Sequence, residues 1–210
     1  MNEWSFISLF ILCGGDSMKR NKPKYKQIID AAVIVIAENG YHQAQVAKIA
    51  KQAGVADGTI YLYFKNKEDI LISMFEEKMG VFIESLQAII EDGGTSSNKL
   101  CLMIKNHIEV LASDKHLATV TQLELRQSNK ELRLKINGIL REYLKLLDEI
   151  LIEGMLSGEF NTTMDVRLAR QMVFGTIDEA ITSWVMNEWR YDLHSVIPKV
   201  QQLLLKGIQA

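Results

Sequence analysis

The 210-residue sequence contains few residues that break helices or cross-link chains. It has two prolines, Pro23 and Pro198, and two cysteines, Cys13 and Cys101. Two cysteines this far apart exclude a disulfide framework and a cysteine metal cluster. The four histidines show no ligand spacing, so we interpret them as structural or surface residues. This cysteine usage is typical of a reducing compartment and predicts a cytoplasmic protein.

Long apolar runs are also missing from the sequence. The N-terminus carries nine mostly apolar residues, from Trp4 to Leu12, but a membrane-spanning helix needs roughly 18. Glu3 stands where a signal peptide would carry positive charge. We therefore expect no membrane partner. We also expect translation to start at Met18, before KRNKPKYK, so that residues 1–17 would be an upstream or non-native extension.

The sequence lacks the motifs of common catalytic sites. It has no nucleophile elbow, no cluster of metal ligands and no convincing phosphate-binding loop. We therefore predict that the protein is not an enzyme and requires no metal or cofactor.

What the sequence does contain is apolar residues repeating every three or four positions, which predicts an all-α protein. The first helix is expected from about Tyr25 to Asn39, with Gly40 as its C-cap. The stretch EDGGTSSN, residues 91–98, is expected to be a linker. Further helices are predicted at residues 67–90, 99–112, 114–127, 130–155, 165–186 and 196–208. Ser128 or Asn129 is expected to cap the long helix predicted at residues 130–155.

Charge divides the chain into two parts. Residues 18–67 carry nine bases and three acids, a balance of +6, whereas residues 68–210 carry a balance of −6. We predict a small domain at 18–67 and a larger helical bundle at 68–210. A basic head favours an anionic partner such as a nucleic acid or a membrane surface, although a solvated charged face would give the same pattern.

The head contains the spacing of a helix-turn-helix in the stretch VAKIAKQAGVADGTIYLYF, residues 46–64. A first helix would bury Ile49 and Ala50, and Gly54 could turn the chain in a left-handed conformation. A second short helix would bury Ile60 and Phe64, together with Val55, against the first. In such a motif the second helix lies in the major groove of DNA.

If Ile60 and Phe64 point inward, a polar surface faces outward. Hydroxyl and backbone N–H groups on this surface can bind phosphates, Gly58 permits close approach, and Lys67 supplies a cation. The exposed set comprises Asp57, Gly58, Thr59, Tyr61, Tyr63 and Lys67. Together with the basic head, this surface favours double-stranded DNA as the partner.

The stretch GVADGTIYLYFKNKEDIL, preceded by AENGY and VAKIAKQA, resembles the signature of TetR-type bacterial transcriptional repressors. The resemblance implies an N-terminal three-helix DNA-binding domain and a C-terminal helical bundle for effector binding and dimerisation. It also implies that Gly58, Thr59, Tyr61, Tyr63 and Lys67 contact operator DNA, while Gln45 and Val46 open the supporting helix.

Two positions depart from the usual pattern of the family. Ala44 and Gln45 replace the common Thr and Ser before the supporting helix, so the hydroxyl cap is missing. Asp57 could cap the second helix or accept a hydrogen bond from cytosine. In either case Asp57 bears on the choice of operator.

The stretches QLELRQSNKELRLKINGIL and DVRLARQMVFGTIDEAITSWVMN resemble the fatty-acid-degradation regulators within this family. That resemblance implies release from the operator by long-chain acyl-CoA. Arginine binds phosphate in bidentate geometry, so Arg126 and Arg133 are the candidate phosphate ligands. The candidates for an apolar cavity are Phe82, Leu86, Met103, Met172, Phe174 and Trp184. These residues could equally be plain core, and another hydrophobic or cationic effector remains an alternative.

The last two predicted helices are expected to form a homodimer. Their apolar residues include Met172, Ile177, Ile181, Leu203 and Leu204. Packing within one chain would give the same pattern. A two-fold dimer would imply a palindromic operator.

Overall fold

The structure is a computed structural model that describes residues 23–209. The predicted extension at residues 1–17 lies outside this range, as do the bases Lys19, Arg20 and Lys22. Within residues 23–209 the chain forms α-helices, one 3₁₀ turn and no strand. The helices are α1 Pro23–Gln43, α2 Val46–Gln52, α3 Asp57–Ile60, α4 Lys67–Glu91, α5 Ser96–Ser113, α6 Lys115–Glu124, α7 Lys130–Ser157, α8 Val166–Met186 and α9 Ile197–Ile208. The prediction of an all-α protein is confirmed.

The chain divides into two compact units between Met74 and Phe75, a position within α4. The boundary predicted from the sequence lies earlier in the chain, directly after Lys67, which is the first residue of α4. No helix of the described range is long and apolar enough to cross a bilayer.

In the first unit, α1 supplies the largest share of the core. Its buried face includes Ile28, Ala32 and Ile36. Gly40 has a positive φ of 72°, which interrupts the helix as predicted, but the helical segment continues to Gln43. Residues 41–43 thus form an extra turn at the end of α1.

The helix-turn-helix forms as predicted around Gly54, whose φ is +62°. The turn is held by Gln27, whose Nε2 donates to the carbonyl oxygen of Ala53 at 2.8 Å. Ile60 and Phe64 are buried, and Phe64 stacks on Tyr25 with ring centroids 5.0 Å apart.

Two details of this motif differ from the prediction. Val55 is half-buried, because it lies in the turn before α3. The second helix is a single turn that ends at Ile60, and residues 61–63 continue as turns. The hydrogen bond from Phe64 N to Ile60 O, at 3.0 Å, still places Phe64 against the core.

In the second unit, side-chain caps define where most helices begin. Thr95, Asp114, Asn129 and Asp165 each accept a hydrogen bond from the N–H group three residues ahead. These caps correct one prediction and decide between the two alternatives of another. Residues 96–98 belong to α5 and not to a linker, because Thr95 starts the helix. The cap of α7 is Asn129 and not Ser128.

The long helix α7 buries an apolar stripe that includes Ile136, Leu147 and Ile150. Helices α5, α7 and α8 pack against one another around this stripe. Ile177, Ile181 and Leu204, which are predicted above to lie at a dimer surface, are buried in the core of the chain itself. They are buried because α8 and α9 each turn an apolar face toward the bundle.

Candidate DNA-binding surface and effector site

The surface around α3 exposes the residues predicted to contact DNA. Asp57 and Gly58 are exposed, and Thr59 and Tyr63 are half-buried at its edge. Tyr61 is 59% exposed, although a tyrosine side chain offers a large apolar area. The structure thus brings this predicted set together on one short helix and the turn that follows.

Gly58 needs no special backbone conformation and has open space where a Cβ would lie. Nothing inside the chain therefore requires glycine at this position. This contrasts with Gly54, whose positive φ does require it.

Gln45 is the N-cap of α2, and its side chain makes no capping hydrogen bond. It is exposed, and Val46 beside it is half-buried. Asp57 is the first residue of α3, whose N-cap is Ala56. The predicted capping role of Asp57 is therefore wrong, because its carboxylate lies one position too late in the chain.

Lys67 begins α4 and turns toward the end of α1. Its Nζ donates to the carbonyl oxygens of Tyr41 and His42 at 2.9 and 3.0 Å. The ammonium group also lies 4.6 Å from the centroid of the Tyr41 ring. Two of its three N–H groups therefore have partners within the chain.

Two of the predicted effector residues meet in an aromatic cluster, which we define as Phe82, His107, Tyr143 and Phe174. His107 Nδ1 and the Tyr143 hydroxyl are 2.8 Å apart and buried. The ring of Phe82 lies 5.0 Å from His107, and the ring of Phe174 lies 6.2 Å from it. The cluster thus joins α4, α5, α7 and α8.

Burial sets the ionisation of this polar pair. It lowers the pKa of His107 to about 4 and raises the pKa of Tyr143 above its ordinary value. The imidazole is therefore neutral near pH 7. The pair offers hydrogen-bonding groups without charge inside an otherwise apolar region.

The other predicted cavity residues are dispersed. Leu86 and Met103 are buried. Met172 is partly exposed on α8 and lies against Gly207 of α9. Trp184 is buried near the end of α8, where its Nε1 donates to the carbonyl oxygen of Tyr191 at 2.8 Å.

Of the two candidate arginines, Arg126 lies in the connection between α6 and α7, and Arg133 lies in the first turn of α7. Arg126 pairs through Nη2 with Oδ2 of Asp178 on α8 and donates through Nη1 to the carbonyl oxygen of Gln122. Arg133 donates to the carbonyl oxygens of Gln127 and Ser128 at 2.8 and 3.2 Å. A phosphate would therefore compete with existing partners at both positions.

The ion pair of Arg126 predicts a measurable contribution to stability. The Asp178 side chain is 9% exposed and that of Arg126 is 59% exposed. Removing the cation leaves a nearly buried carboxylate without its partner. The resulting loss in free energy of unfolding is about 3–5 kcal/mol for a fully buried pair and under about 1 kcal/mol for an exposed pair. We expect Arg126→Met to lower the free energy of unfolding by about 2 kcal/mol, between these limits.

Urea denaturation of Arg126→Met, Asp178→Asn and the double variant measures this interaction. Asp178→Asn removes the charge that is left unpaired, so the double variant should recover most of the loss. If the losses of the two single variants simply add, the pair contributes nothing.

Three residues of these sites are missing from the set predicted from the sequence. Leu62 is 68% exposed beside Tyr61, and its apolar side chain gives no signal of a polar contact. His107 is one of the histidines interpreted from the sequence as structural or surface residues, and Tyr143 lies on the buried face of α7. The signal for them is present in the sequence, since each places a polar group on a helix face that is otherwise apolar.

Among residues 23–209, no group of three or more His, Cys, Asp or Glu side chains could hold a metal ion. The described residues therefore offer two candidate sites other than a metal site. One is the exposed surface around α3, and the other is the polar pair of His107 and Tyr143 within the aromatic cluster.

Comparison with known proteins decides the family. Residues 28–74 match the bacterial regulatory proteins of the tetR family, and residues 75–207 match the C-terminal region of YsiA-like proteins. The chain belongs to the TetR family. The first match covers the helix-turn-helix, and the second covers the helical bundle.

The relatives of this TetR-family protein include regulators of fatty acid metabolism. It is 65% identical to the fatty acid metabolism regulator protein of Bacillus subtilis, over 91% of this chain and 98% of that protein. The chain also matches the crystal structure of FadR from B. subtilis in complex with stearoyl-CoA, with 65% sequence identity and a TM-score of 0.84. This match covers 88% of the present chain and 100% of the FadR chain. The structure of the fatty acid degradation regulator FadR from Bacillus halodurans is 59% identical over the same shares, with a TM-score of 0.85.

These relatives are transcriptional regulators. This finding and the family match confirm the prediction that the chain is not an enzyme. The expected family and its fold are confirmed as well.

Proposed function

We propose that this protein represses genes of fatty-acid degradation and leaves its operator when it binds a long-chain acyl-CoA. The observation that carries the proposal is its 65% identity to a fatty acid metabolism regulator along almost the whole of that protein. The FadR structure of the same identity, in complex with stearoyl-CoA, supports the choice of effector. A repressor of chromosomal genes would act in the cytoplasm.

The surface around α3 is the proposed DNA-binding surface. It carries hydroxyl groups at Thr59, Tyr61 and Tyr63, which are suited to phosphate oxygens. Leu62 adds an exposed apolar side chain that could contact the methyl group of thymine. Gln45 and Val46 would approach the backbone from α2, and Asp57 could accept a hydrogen bond from cytosine.

The aromatic cluster is the proposed site for the acyl chain. Phe82 and Phe174 would contact the methylene groups, with Leu86 and Met103 as further candidates. Arg126 and Arg133 would bind the phosphates of coenzyme A by exchanging their present partners for phosphate oxygens. Met172 and Trp184 are proposed as further residues of the apolar cavity, on the basis of the sequence alone.

The exposed apolar side chains of α8 and α9 support a homodimer. Leu168 and Met172 lie one helical turn apart on α8, and Leu203 is exposed on α9. An exposed apolar surface of this kind marks an interaction site. A two-fold dimer through it would place two helix-turn-helix motifs on a palindromic operator.

Selection from a pool of random DNA duplexes tests the repressor function even though the operator sequence is not specified in advance. We expect enrichment of a palindrome, bound by two chains as judged by sedimentation of the complex. Enriched DNA should be released by stearoyl-CoA and retained in the presence of coenzyme A alone. Failure to enrich any sequence would contradict sequence-specific DNA binding. Release by another hydrophobic or cationic compound, with indifference to acyl-CoA, would change the effector.

Gly58→Ala separates DNA contact from folding. Because the added Cβ meets open space in the chain, the free energy of unfolding should stay unchanged or rise by up to about 1 kcal/mol. Operator affinity should fall at least about tenfold, the equivalent of ~1.4 kcal/mol, if DNA approaches this backbone closely. Fluorescence anisotropy with labelled operator measures the affinity.

Gly138→Ala is the matched control, since Gly138 lies in α7 and also has open space at its Cβ position. It should leave operator affinity unchanged. An equal affinity for Gly58→Ala and Gly138→Ala would remove Gly58 from the DNA interface.

A further inference from the structure

The buried pair of His107 and Tyr143 has more hydrogen-bonding capacity than it uses. Among residues 23–209, the only hydrogen bond of either side chain is the one between His107 Nδ1 and the Tyr143 hydroxyl. If the hydroxyl donates, the imidazole proton lies on His107 Nε2 and has no acceptor within these residues. If Nδ1 donates instead, the hydroxyl proton has no acceptor. In both arrangements one N–H or O–H group is left over, which we call the spare donor.

The spare donor lies deep inside the bundle. His107 is 6% exposed and Tyr143 is 1% exposed, and a donor buried without an acceptor is destabilising. Burial also keeps the pair uncharged, because it lowers the pKa of His107 to about 4. The pair therefore suits a neutral oxygen better than a carboxylate, whose burial beside uncharged groups is unfavourable.

The surroundings of the pair suggest which oxygen this is. Phe82 and Phe174 flank His107, with ring centroids 5.0 and 6.2 Å from the centroid of the imidazole. These two rings form the apolar surface proposed above for the methylene groups of the effector. A long-chain acyl-CoA has one oxygen that adjoins its methylene groups, and this is the carbonyl oxygen of the thioester.

The position of Arg133, a proposed phosphate ligand, agrees with this choice. Tyr143 follows Arg133 by ten residues on α7, or about 15 Å along the helix. The pantetheine arm that joins the phosphates of coenzyme A to the thioester has the reach of four to five extended residues, roughly 15 Å. A phosphate bound by Arg133 would thus bring the thioester close to Tyr143.

We propose that the spare donor of the His107–Tyr143 pair binds the thioester carbonyl oxygen of the effector and so fixes the point at which the acyl chain begins. The two residues then determine specificity for an acyl thioester. The proposal rests on the proposed acyl-CoA response. It goes beyond that response because it assigns a polar contact within the apolar site.

Two ligands that differ only at the carbonyl group test this contact. Stearoyl-CoA carries the carbonyl, whereas S-octadecyl-CoA, a thioether of the same chain length, has a methylene group in its place. We expect the wild-type protein to bind the thioester at least about fivefold more tightly, because the thioether leaves the spare donor unpaired. Titration calorimetry, below the concentrations at which these ligands form micelles, measures both affinities.

The double variant His107→Leu/Tyr143→Phe removes both polar groups and leaves neither without its partner, which limits the cost to folding. It should bind the thioether at least as tightly as the thioester, because the carbonyl would then be buried without a donor. Phe82→Leu is the matched control and should weaken binding of both ligands by a similar factor. A purely structural role of the pair would also weaken both equally, so the ratio of the two affinities separates the roles.

Infrared spectroscopy tests the contact in the wild-type protein without any variant. An isotopic label at the thioester carbonyl separates its stretching band from the amide bands of the protein. We expect this band at a lower frequency in the complex than in an alkane solvent, because a hydrogen bond weakens the C=O bond. In the double variant the band should move toward its position in the alkane.

An alkane-like band in the wild-type complex would overturn the proposal, and so would equal wild-type affinities for the thioester and the thioether. Either result would leave the acyl-CoA response standing. Failure of the wild-type protein to bind either ligand would instead contradict the proposed function, and this proposal with it.

Discussion

Replacing Phe160 by alanine should lower the free energy of unfolding by about 3–5 kcal/mol. The ring is fully buried after the end of α7 and fills the space above Gly154. The backbone of residues 160–161 connects α7 with α9, because Phe160 N donates to Gly154 O and Asn161 N donates to Ile208 O, each at 2.9 Å. Loss of the ring would leave a cavity beneath the segment that holds the end of α9.

Gly154 is the complementary half of this contact. A Cβ there would lie 2.1 Å from Cδ2 of Phe160, so one of the two must move. We expect Gly154→Ala to cost about 1–3 kcal/mol through overpacking. Combining it with Phe160→Leu should cost less than the sum of the two single changes, because the smaller side chain leaves room for the methyl group.

Urea denaturation followed by far-UV circular dichroism measures these changes. Leu156→Ala is the matched control, since Leu156 lies nearby on α7 but is almost fully exposed. It should change stability by less than about 0.5 kcal/mol. A loss below about 1 kcal/mol for Phe160→Ala would contradict the assigned packing.

The second large effect concerns the length of the acyl chain. If the chain is buried in the aromatic cluster, each methylene contributes ~0.8 kcal/mol. Four extra carbons then contribute roughly 3 kcal/mol, or a factor of about 150 in affinity. We expect stearoyl-CoA to release the operator at a concentration about two orders of magnitude below that needed for the fourteen-carbon thioester.

A titration of the operator complex with thioesters of increasing length measures this effect, at concentrations below those at which the thioesters form micelles. Coenzyme A and free stearate are the controls, and neither should release the operator at these concentrations. Equal potency at every length would show that the chain is not buried and would favour another effector.

How much of the structure can be predicted depends on the distance along the chain between interacting residues. The helix-turn-helix is predictable because Gly54, Ile60 and Phe64 lie within eleven positions and their spacing alone defines the turn. The caps are harder, because Ser128 and Asn129 are neighbours of similar chemistry. In the structure Asn129 caps α7, where its side chain accepts a hydrogen bond from Leu132 N.

The contacts that control the candidate sites join distant positions. Arg126 and Asp178 are 52 residues apart, and Lys67 reaches a carbonyl 26 residues away. Periodicity shows which face of a helix is apolar but not which faces meet. For this reason the sequence indicates Arg126 and Lys67 as cations for phosphates, whereas the structure shows the partners that they already hold.

The central claim is that one protein binds operator and acyl-CoA at coupled sites, and linkage makes this claim testable in both directions. The measurement is the affinity for stearoyl-CoA with and without saturating operator, compared with the affinity for operator with and without saturating stearoyl-CoA. The account predicts the same factor in both pairs, and a factor above about 10, the equivalent of ~1.4 kcal/mol. An affinity for stearoyl-CoA that is identical with and without operator would contradict it.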